Sequence, residues 1–308
     1  MESHHDDTVS GNSQSPIDIP TSIVIEDVNA PIYIDYPSDD IGEVLSNTGH
    51  GWHVKCNGRK TEFYGGPLKN KFKLEQFHCH WGPKPGVGSE HTVDGKTYSG
   101  ELHFVHWNAE KYDTFEVASK EKDGLAVLAV FLDVGCGNSE LMKITALLPR
   151  IKNASDEIIL TDLVGINLEK FLPCGRNYWT YSGSLTTPPY SETVTWIILE
   201  QPITISEQQL NVFRSLKLGS DHHDVADSKS NHDSTSTLAN GCVRNGKEET
   251  KKEDSISLQR SKRETSDNNN AKDEKHTHII ENYRVIQPLN DRVIRKYSTT
   301  PSKIIENH

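Results

Sequence analysis

Gln76-Phe77-His78-Cys79-His80-Trp81-Gly82, then Ser89-Glu90-His91, then Glu101-Leu102-His103-Phe104-Val105-His106-Trp107: the reading of this chain turns on this stretch. In an extended strand, residues two apart share a face, so His78 and His80 project side by side with Gln76 one step earlier. A second extended run puts Glu101, His103 and Val105 on one face as well. If the two runs are neighbouring strands, three imidazoles converge on one point, with a carboxamide and a carboxylate just behind them. Three neutral nitrogens around an open fourth position are the ligand set of a catalytic Zn2+ site. Gln76 and Glu101 then stand where they can take the other ring N–H of a ligand histidine and fix its tautomer. A His-x-His pair by itself is a weak signal, more often explained by surface or satisfied core histidines. The rest of the sequence weighs against that plainer reading.

Cys79 lies between two candidate ligands but on the opposite face, which marks it as a core residue. Val93-Asp94-Gly95-Lys96 is a turn signal between the two runs and supports their antiparallel relation. Upstream, short extended pieces rich in Val, Ile, Tyr and Thr are broken at Tyr36-Pro-Ser-Asp-Asp and at Asn57-Gly58. Asn57-Gly58, flanked by 52–56 and 61–64, predicts a hairpin. Downstream, the continuous apolar run 125–134 predicts a strand buried on both faces. Helical spacing at Leu141, Ile144, Leu147 and Leu148 predicts a helix ending at Pro149, with Ser139 as its cap. Val194-Thr-Trp-Ile-Ile-Leu predicts another buried strand, and Ser206 opens a second helix as its cap.

The 308 residues leave ample volume for a core. A net charge of -11 points away from nucleic acid or an anionic membrane as partner. No apolar run is long enough for a spanning helix, the N-terminus lacks the basic and apolar regions of a signal peptide, and the C-terminus lacks a lipid-anchor tail. Five cysteines with no Cys-x-x-Cys spacing argue against a disulfide framework and against a thiolate zinc site, so the expectation is cytoplasmic. Residues 1–13 are polar and expected to be disordered. Residues 219–278 are rich in Ser, Asp, Asn, Lys and Glu, with too few large apolar residues to offset their ordering entropy. They are expected to form a disordered polar insertion, a spacer whose partner the sequence does not reveal. His222, His223, His232, His276 and His278 within it read as solvent histidines. Ordered sequence resumes over 279–296, and 297–308 forms a C-terminal tail.

A zinc-bound water becomes acidic towards neutral pH and needs a neighbour that fixes where its proton points. Tyr181-Ser-Gly-Ser-Leu-Thr-Thr-Pro-Pro supplies candidates. Thr186 can accept that proton and donate its own to an ionised Glu90, while Thr187 and the Thr186 backbone N–H meet the far side of a small bound molecule. Leu-Thr-Thr-Pro-Pro taken alone is equally a rigid turn. Delivering the released proton to buffer suits a histidine with an ordinary pKa. His50, in Asn47-Thr-Gly-His-Gly-Trp-His, is the candidate, with His53 as alternate.

With these residues assembled, the chain resembles the alpha-class carbonic anhydrases. Gln14-Ser-Pro-Ile-Asp-Ile, Gly65-Gly-Pro-Leu, Gln76-Phe-His-Cys-His-Trp-Gly, Gly88-Ser-Glu-His-Thr-Val-Asp-Gly, Glu101-Leu-His-Phe-Val-His-Trp-Asn, Asp123-Gly-Leu-Ala-Val-Leu and Tyr178-Trp-Thr-Tyr-Ser-Gly-Ser-Leu-Thr-Thr-Pro-Pro carry the likeness. The resemblance implies an α+β, mainly β fold: a large twisted, mostly antiparallel central sheet with peripheral helices. Its catalytic domain is residues 14–218 together with 279–296. It implies one Zn2+ on His78, His80 and His103, a relay through Thr186 and Glu90, and a proton shuttle at His50. Gln76 and Glu101 fall behind the ligands, and Asn282 at the position whose backbone carbonyl orients one of them. A carbon dioxide pocket is implied from Val105, Val127, Leu185, Val194 and Trp196, and cis bonds at Ser15-Pro16 and Pro188-Pro189. The implied reaction is reversible hydration of carbon dioxide to bicarbonate and a proton.

Four departures stand out. The family's aromatic N-terminal segment is missing before Gln14. Thr48 and His53 stand where fast members often carry Asn. Val9 and Tyr190 occupy the places of the disulfide found in secreted members, and the 219–278 insertion is foreign to the family pattern. The competing reading is a catalytically impaired carbonic-anhydrase-related binding protein. Such proteins lose one or more ligand histidines, and all three are intact here.

Overall fold

The structure, a computed structural model, describes residues 11–28, 30–37, 42–57, 60–160, 165–219 and 278–298. The chain divides into two units, Met1–Ser220 with Thr277–His308, and Asp221–His276; every described residue lies in the first. Of the segments expected to be disordered, 1–10 and 220–277 lie outside the described residues, as does the tail from 299.

The described strands, in chain order, are β1 (Asp18–Ile19), β2 (Ile25–Val28), β3 (Ile32–Asp35), β4 (Gly42–Asn47), β5 (Trp52–Cys56), β6 (Glu62–Gly65) and β7 (Leu68–Trp81). β8 (Thr92–Val93), β9 (Gly100–Trp107), β10 (Leu125–Val134), β11 (Glu157–Ile159), β12 (Tyr178–Gly183), β13 (Val194–Ile205) and β14 (Arg295–Ser298) follow. Three short helices, α1 (Phe115–Ala118), α2 (Ser139–Leu147) and α3 (Glu207–Phe213), lie between them. The main sheet runs β11-β4-β5-β7-β9-β10-β13-β12-β14-β2, with β3 and β6 attached through β7 and a separate parallel pair β1-β8. Most pairings are antiparallel, and β10 with β13 and β14 with β2 are parallel. This is the mainly β architecture anticipated from the sequence.

β10 sits at the centre, and its apolar run is buried almost throughout because β9 and β13 claim both its edges and core lies on both faces. Alternate residues feed two clusters. Phe77, Cys79, Leu102, Phe104, Leu128 and Ile197 face one cluster, where Leu141 and Ile144 of α2 and Leu210 and Phe213 of α3 cover the sheet. Val105, Val127, Ala129, Val194 and Trp196 face the other. At roughly 1.5–3 kcal/mol per fully buried large apolar side chain, either cluster holds its strands in one register, since a one-residue slip would exchange the faces. Cys79 is core, as its position between the histidines predicted.

Two local expectations are corrected. Segments 52–56 and 61–64 do not form a hairpin through Asn57-Gly58. β5 is taken by β4 on one edge and β7 on the other, so β6 pairs instead with β3 and the first half of β7. Strand β5 does end at Cys56, next to this signal, but edge competition decides the partner. The cap of α2 is Asn138, not Ser139: its Oδ1 accepts from Glu140 N at 2.9 Å and Leu141 N at 3.0 Å. Two good caps stand side by side there, and the extended backbone falls on the first. Ser206 does cap α3, in a reciprocal capping box with Gln209. Val93-Asp94-Gly95-Lys96 closes as a two-residue turn, with Asp94 and Gly95 both at positive φ.

Among the described residues no helix is long and apolar enough to cross a membrane. Cys56, Cys79, Cys136 and Cys174 are free thiols, and Cys242 lies outside the described residues.

Candidate metal centre

β7 and β9 pair antiparallel, with His78 opposite His103 and His80 opposite Glu101. A bulge between Leu74 and Gln76 sets the phase in which Gln76, His78 and His80 share one face. His78, His80 and His103 each offer a ring nitrogen, all within 4.8 Å of one another. Their ring centroids are 5.0 Å (His78–His80), 5.2 Å (His78–His103) and 4.7 Å (His80–His103) apart.

Each ring is held from behind. His78 Nδ1 lies 2.8 Å from Gln76 Oε1, His80 Nδ1 2.8 Å from the Asn282 backbone carbonyl, and His103 Nε2 2.8 Å from Glu101 Oε1. An oxygen that only accepts forces the proton onto the nitrogen facing it, which leaves Nε2 of His78, Nε2 of His80 and Nδ1 of His103 as lone pairs directed inwards. His80 Nε2 is buried and has no hydrogen-bond partner. A buried, unpaired ring nitrogen is costly by itself and is satisfied by a cation at the convergence point, so the donor set fits Zn2+. Burial, reinforced at His78 by the neighbouring imidazoles, keeps the His78 pKa well below the ordinary value and lowers those of His80 and His103. The neutral form that burial favours is the form that ligates.

Glu101 is a hub. Its Oε2 accepts from the backbone N–H of Glu90 at 2.9 Å and of His91 at 2.8 Å, and its Oε1 faces His103 Nε2 and, at 2.7 Å, His91 Nδ1. Burial works to raise the Glu101 carboxyl, but His91 and His103 override it and hold it well below the usual carboxylate range. His91 Nε2 in turn lies 2.7 Å from Tyr181 OH, which donates to Ser15 Oγ at 2.8 Å. Nothing local in the sequence ties His91, Tyr181 and Ser15 to this network, beyond His91 following Glu90 directly.

Glu90 Oε1 accepts from the backbone N–H of Arg284 at 2.9 Å and lies 3.4 Å from His80 Nδ1. Burial pushes its carboxyl up to about 7, against the pull of His103 and the Arg284 N–H. Glu90 Oε2 has no hydrogen-bond partner, and Thr186 is buried.

Val105 and Trp196 both sit in register with Val127, on the two sides of β10, and Val194 pairs with Leu125 two residues away. All four are buried in one cluster, with Leu185 packed against it. The Trp196 ring stands edge-on to His103 at 4.9 Å, so this apolar wall adjoins the imidazoles. Thr187 is exposed, and the Ser15-Pro16 and Pro188-Pro189 bonds are cis. His50 is exposed in the four-residue turn between β4 and β5. His53, opposite His78 across β5 and β7, accepts or donates at Nδ1 with Ser46 Oγ at 3.1 Å; burial, then Lys55, lowers its pKa.

The family model of eukaryotic-type carbonic anhydrases matches residues 2–246. Carbonic anhydrase 7 of Homo sapiens is 44% identical over 209 residues, 67% of this chain and 78% of the relative. Carbonic anhydrase 1 of Oryctolagus cuniculus is 44% identical over 208 residues, 67% and 87% of the two chains, and that of Monodelphis domestica 43% over 209 residues, 67% and 78%. Matches of that extent and identity mean that this chain belongs to the eukaryotic-type carbonic anhydrase family and is a lyase of the carbonate dehydratase kind.

Proposed function

We propose that the chain hydrates carbon dioxide reversibly to bicarbonate and a proton, with one Zn2+ held by His78, His80 and His103. The observation that carries this reading is the convergence of three buried imidazoles, each with its outer nitrogen on an acceptor, around the partnerless His80 Nε2. Zinc bound there would supply Lewis acidity that activates water near neutral pH, and a positive charge that favours the ionised form of Glu90.

The chain's own groups do the rest. Arg284 N–H fixes Glu90 Oε1, which leaves Glu90 Oε2 to accept a hydrogen bond from the Thr186 hydroxyl. Thr186 Oγ1 then presents only a lone pair outwards, and an attacking oxygen must aim its proton at Thr186 and its own lone pair at carbon. Val105, Val127, Leu185, Val194 and Trp196 give a linear apolar substrate a wall and exclude water from its far side. Thr187 and the Thr186 N–H meet the oxygen facing away. His50, exposed at its turn, takes the released proton and passes it to buffer. The catalytic domain is residues 14–218 with 279–296, and the 219–278 insertion is a spacer. Free thiols at all four described cysteines support a cytoplasmic location.

Stopped-flow hydration of carbon dioxide, with zinc quantified in the same sample and a chelator-stripped control, tests the reading. Fast hydration that tracks zinc content is expected. Stoichiometric zinc without hydration would instead favour a binding protein on this fold.

A further inference from the structure

The turn that carries His50 is tied down by a side chain with no other evident task. Asn47, the last residue of β4, is fully buried, and every polar atom of its side chain is used. Its Oδ1 accepts from Gly49 N at 2.9 Å, which sets the first bend of the turn. Its Nδ2 donates to two carbonyls from separate parts of the chain, Lys152 at 3.0 Å and Lys217 at 3.1 Å. The Asn47 backbone is held as well, donating to Asp156 O at 3.0 Å and accepting from Ser155 N at 2.8 Å. Asn47 thus joins the turn to the segment after α2 and to the segment after α3.

The turn itself is short and closed. Thr48 N and Thr48 Oγ1 both donate to Gly51 O, at 2.8 and 2.9 Å. Gly49 O accepts from Gly219 N at 3.1 Å, and the His50 carbonyl accepts from Asn282 Nδ2 at 3.1 Å. Gly49 adopts φ +85°, and a Cβ there would come within 3.0 Å of the Gly219 backbone, so the packing leaves no slack. A side chain exposed at the tip of such a turn takes its place from the backbone beneath it.

We propose that Asn47 is a positioning residue for proton release: its amide sets the backbone from which His50 reaches the metal centre. This rests on His50 as the shuttle. Losing the amide takes a donor from the Lys217 and Lys152 carbonyls, of which Lys152 O keeps only its bond from Lys217 N at 2.8 Å, and leaves the Gly49 N–H without its acceptor, so the turn is free to shift. A displacement of about 1 Å in a proton carrier is enough to cost a large factor in rate.

The test is a double-mutant cycle of Asn47→Ala and His50→Ala on the full zinc-loaded chain, with kcat and kcat/KM for carbon dioxide hydration measured in a weak buffer. Asn47→Ala is expected to lower kcat roughly 3- to 10-fold, to leave kcat/KM and zinc content within about twofold, and to recover kcat when imidazole is added. In the His50→Ala background it should cost nothing further, because it acts only through His50. Hydrogen exchange at the Gly49 amide, read by NMR, should quicken at least about tenfold, independent of turnover. Equal falls in kcat and kcat/KM, additivity with His50→Ala, or an unchanged kcat would each overturn the proposal. If His50→Ala itself leaves kcat unchanged, the shuttle reading fails; if His50→Ala lowers kcat and Asn47→Ala does not, only the Asn47 proposal fails. Asn47→Ser, whose oxygen can accept from Gly49 N–H but which loses both amide N–H donors, carries the same test if the alanine variant does not fold.

Discussion

His106 offers a stability prediction with a definite sign. It is buried; its Nδ1 donates to Ala126 O at 3.3 Å, its Nε2 faces Tyr36 OH at 2.7 Å, and Phe63 lies against the ring with centroids 4.7 Å apart. Burial lowers its pKa from the ordinary 6.5 to about 3, against the backbone carbonyls of Ala126 and Phe104, which favour the charged form. A histidine whose folded pKa is depressed stays neutral in the native state while the unfolded chain takes up a proton. Stability is therefore complete above pH 6.5 and is lost as pH falls from 6.5 towards 3. At about 1.4 kcal/mol per pH unit, this residue alone removes about 2 kcal/mol by pH 5.

His106→Gln isolates the term, because a glutamine amide can donate to Ala126 O and accept from Tyr36 OH but cannot titrate. At pH 8 the variant should be less stable by roughly 1–2 kcal/mol, the cost of the lost ring packing. Between pH 8 and pH 5 that deficit should shrink by about 2 kcal/mol and vanish, since the wild type alone takes on the proton penalty. Urea unfolding at half-unit pH steps measures it, and other titrating groups cancel in the difference. A difference that stays flat from pH 8 to pH 5 would show that His106 titrates alike in folded and unfolded chains, and the burial argument would fail.

Glu101→Gln puts an N–H2 where the carboxylate accepts from two ring nitrogens and two backbone amides, so zinc affinity should fall about 10- to 100-fold in competition with a chromophoric chelator; unchanged affinity would remove Glu101 from the ligand-orienting role. Ser206→Ala opens the capping box of α3 and should cost about 1 kcal/mol, or about 2–4 °C in Tm by calorimetry, with hydration activity intact. Replacing 220–277 by an eightfold shorter Gly-Ser linker should leave turnover within about twofold and add roughly 2 kcal/mol of stability, three halvings of loop length at roughly 0.6 kcal/mol each. The reason is that Lys217 already bridges His278, and Ile279 N donates to Leu216 O at 2.7 Å, so the ends meet without the insertion. A large loss of turnover would contradict the spacer reading.

What could be read without coordinates follows from how far a contact reaches along the chain. His78, His80 and His103 were legible because strand periodicity is a two-residue rule and Gln76 and Glu101 lie two residues from their rings. The cap at Ser206 was legible for the same reason, and the error between Asn138 and Ser139 is one of phase between adjacent cap formers. The Asn57-Gly58 hairpin failed because turn chemistry is local while partner choice is not: β5 had no free edge left to give β6. Asn282 sits 202 residues from His80, across the insertion, and was placed by family resemblance alone. Arg284 and Tyr181 reach Glu90 and His91 from 194 and 90 residues away and carried no local signal. Asn47 is the sharpest case, since an Asn before Thr-Gly-His reads as ordinary turn chemistry. Only the arrival of the Lys152 and Lys217 carbonyls, 105 and 170 residues on, turns it into a buried anchor. Ligands can therefore be found by pattern, whereas the groups that aim them belong to the fold.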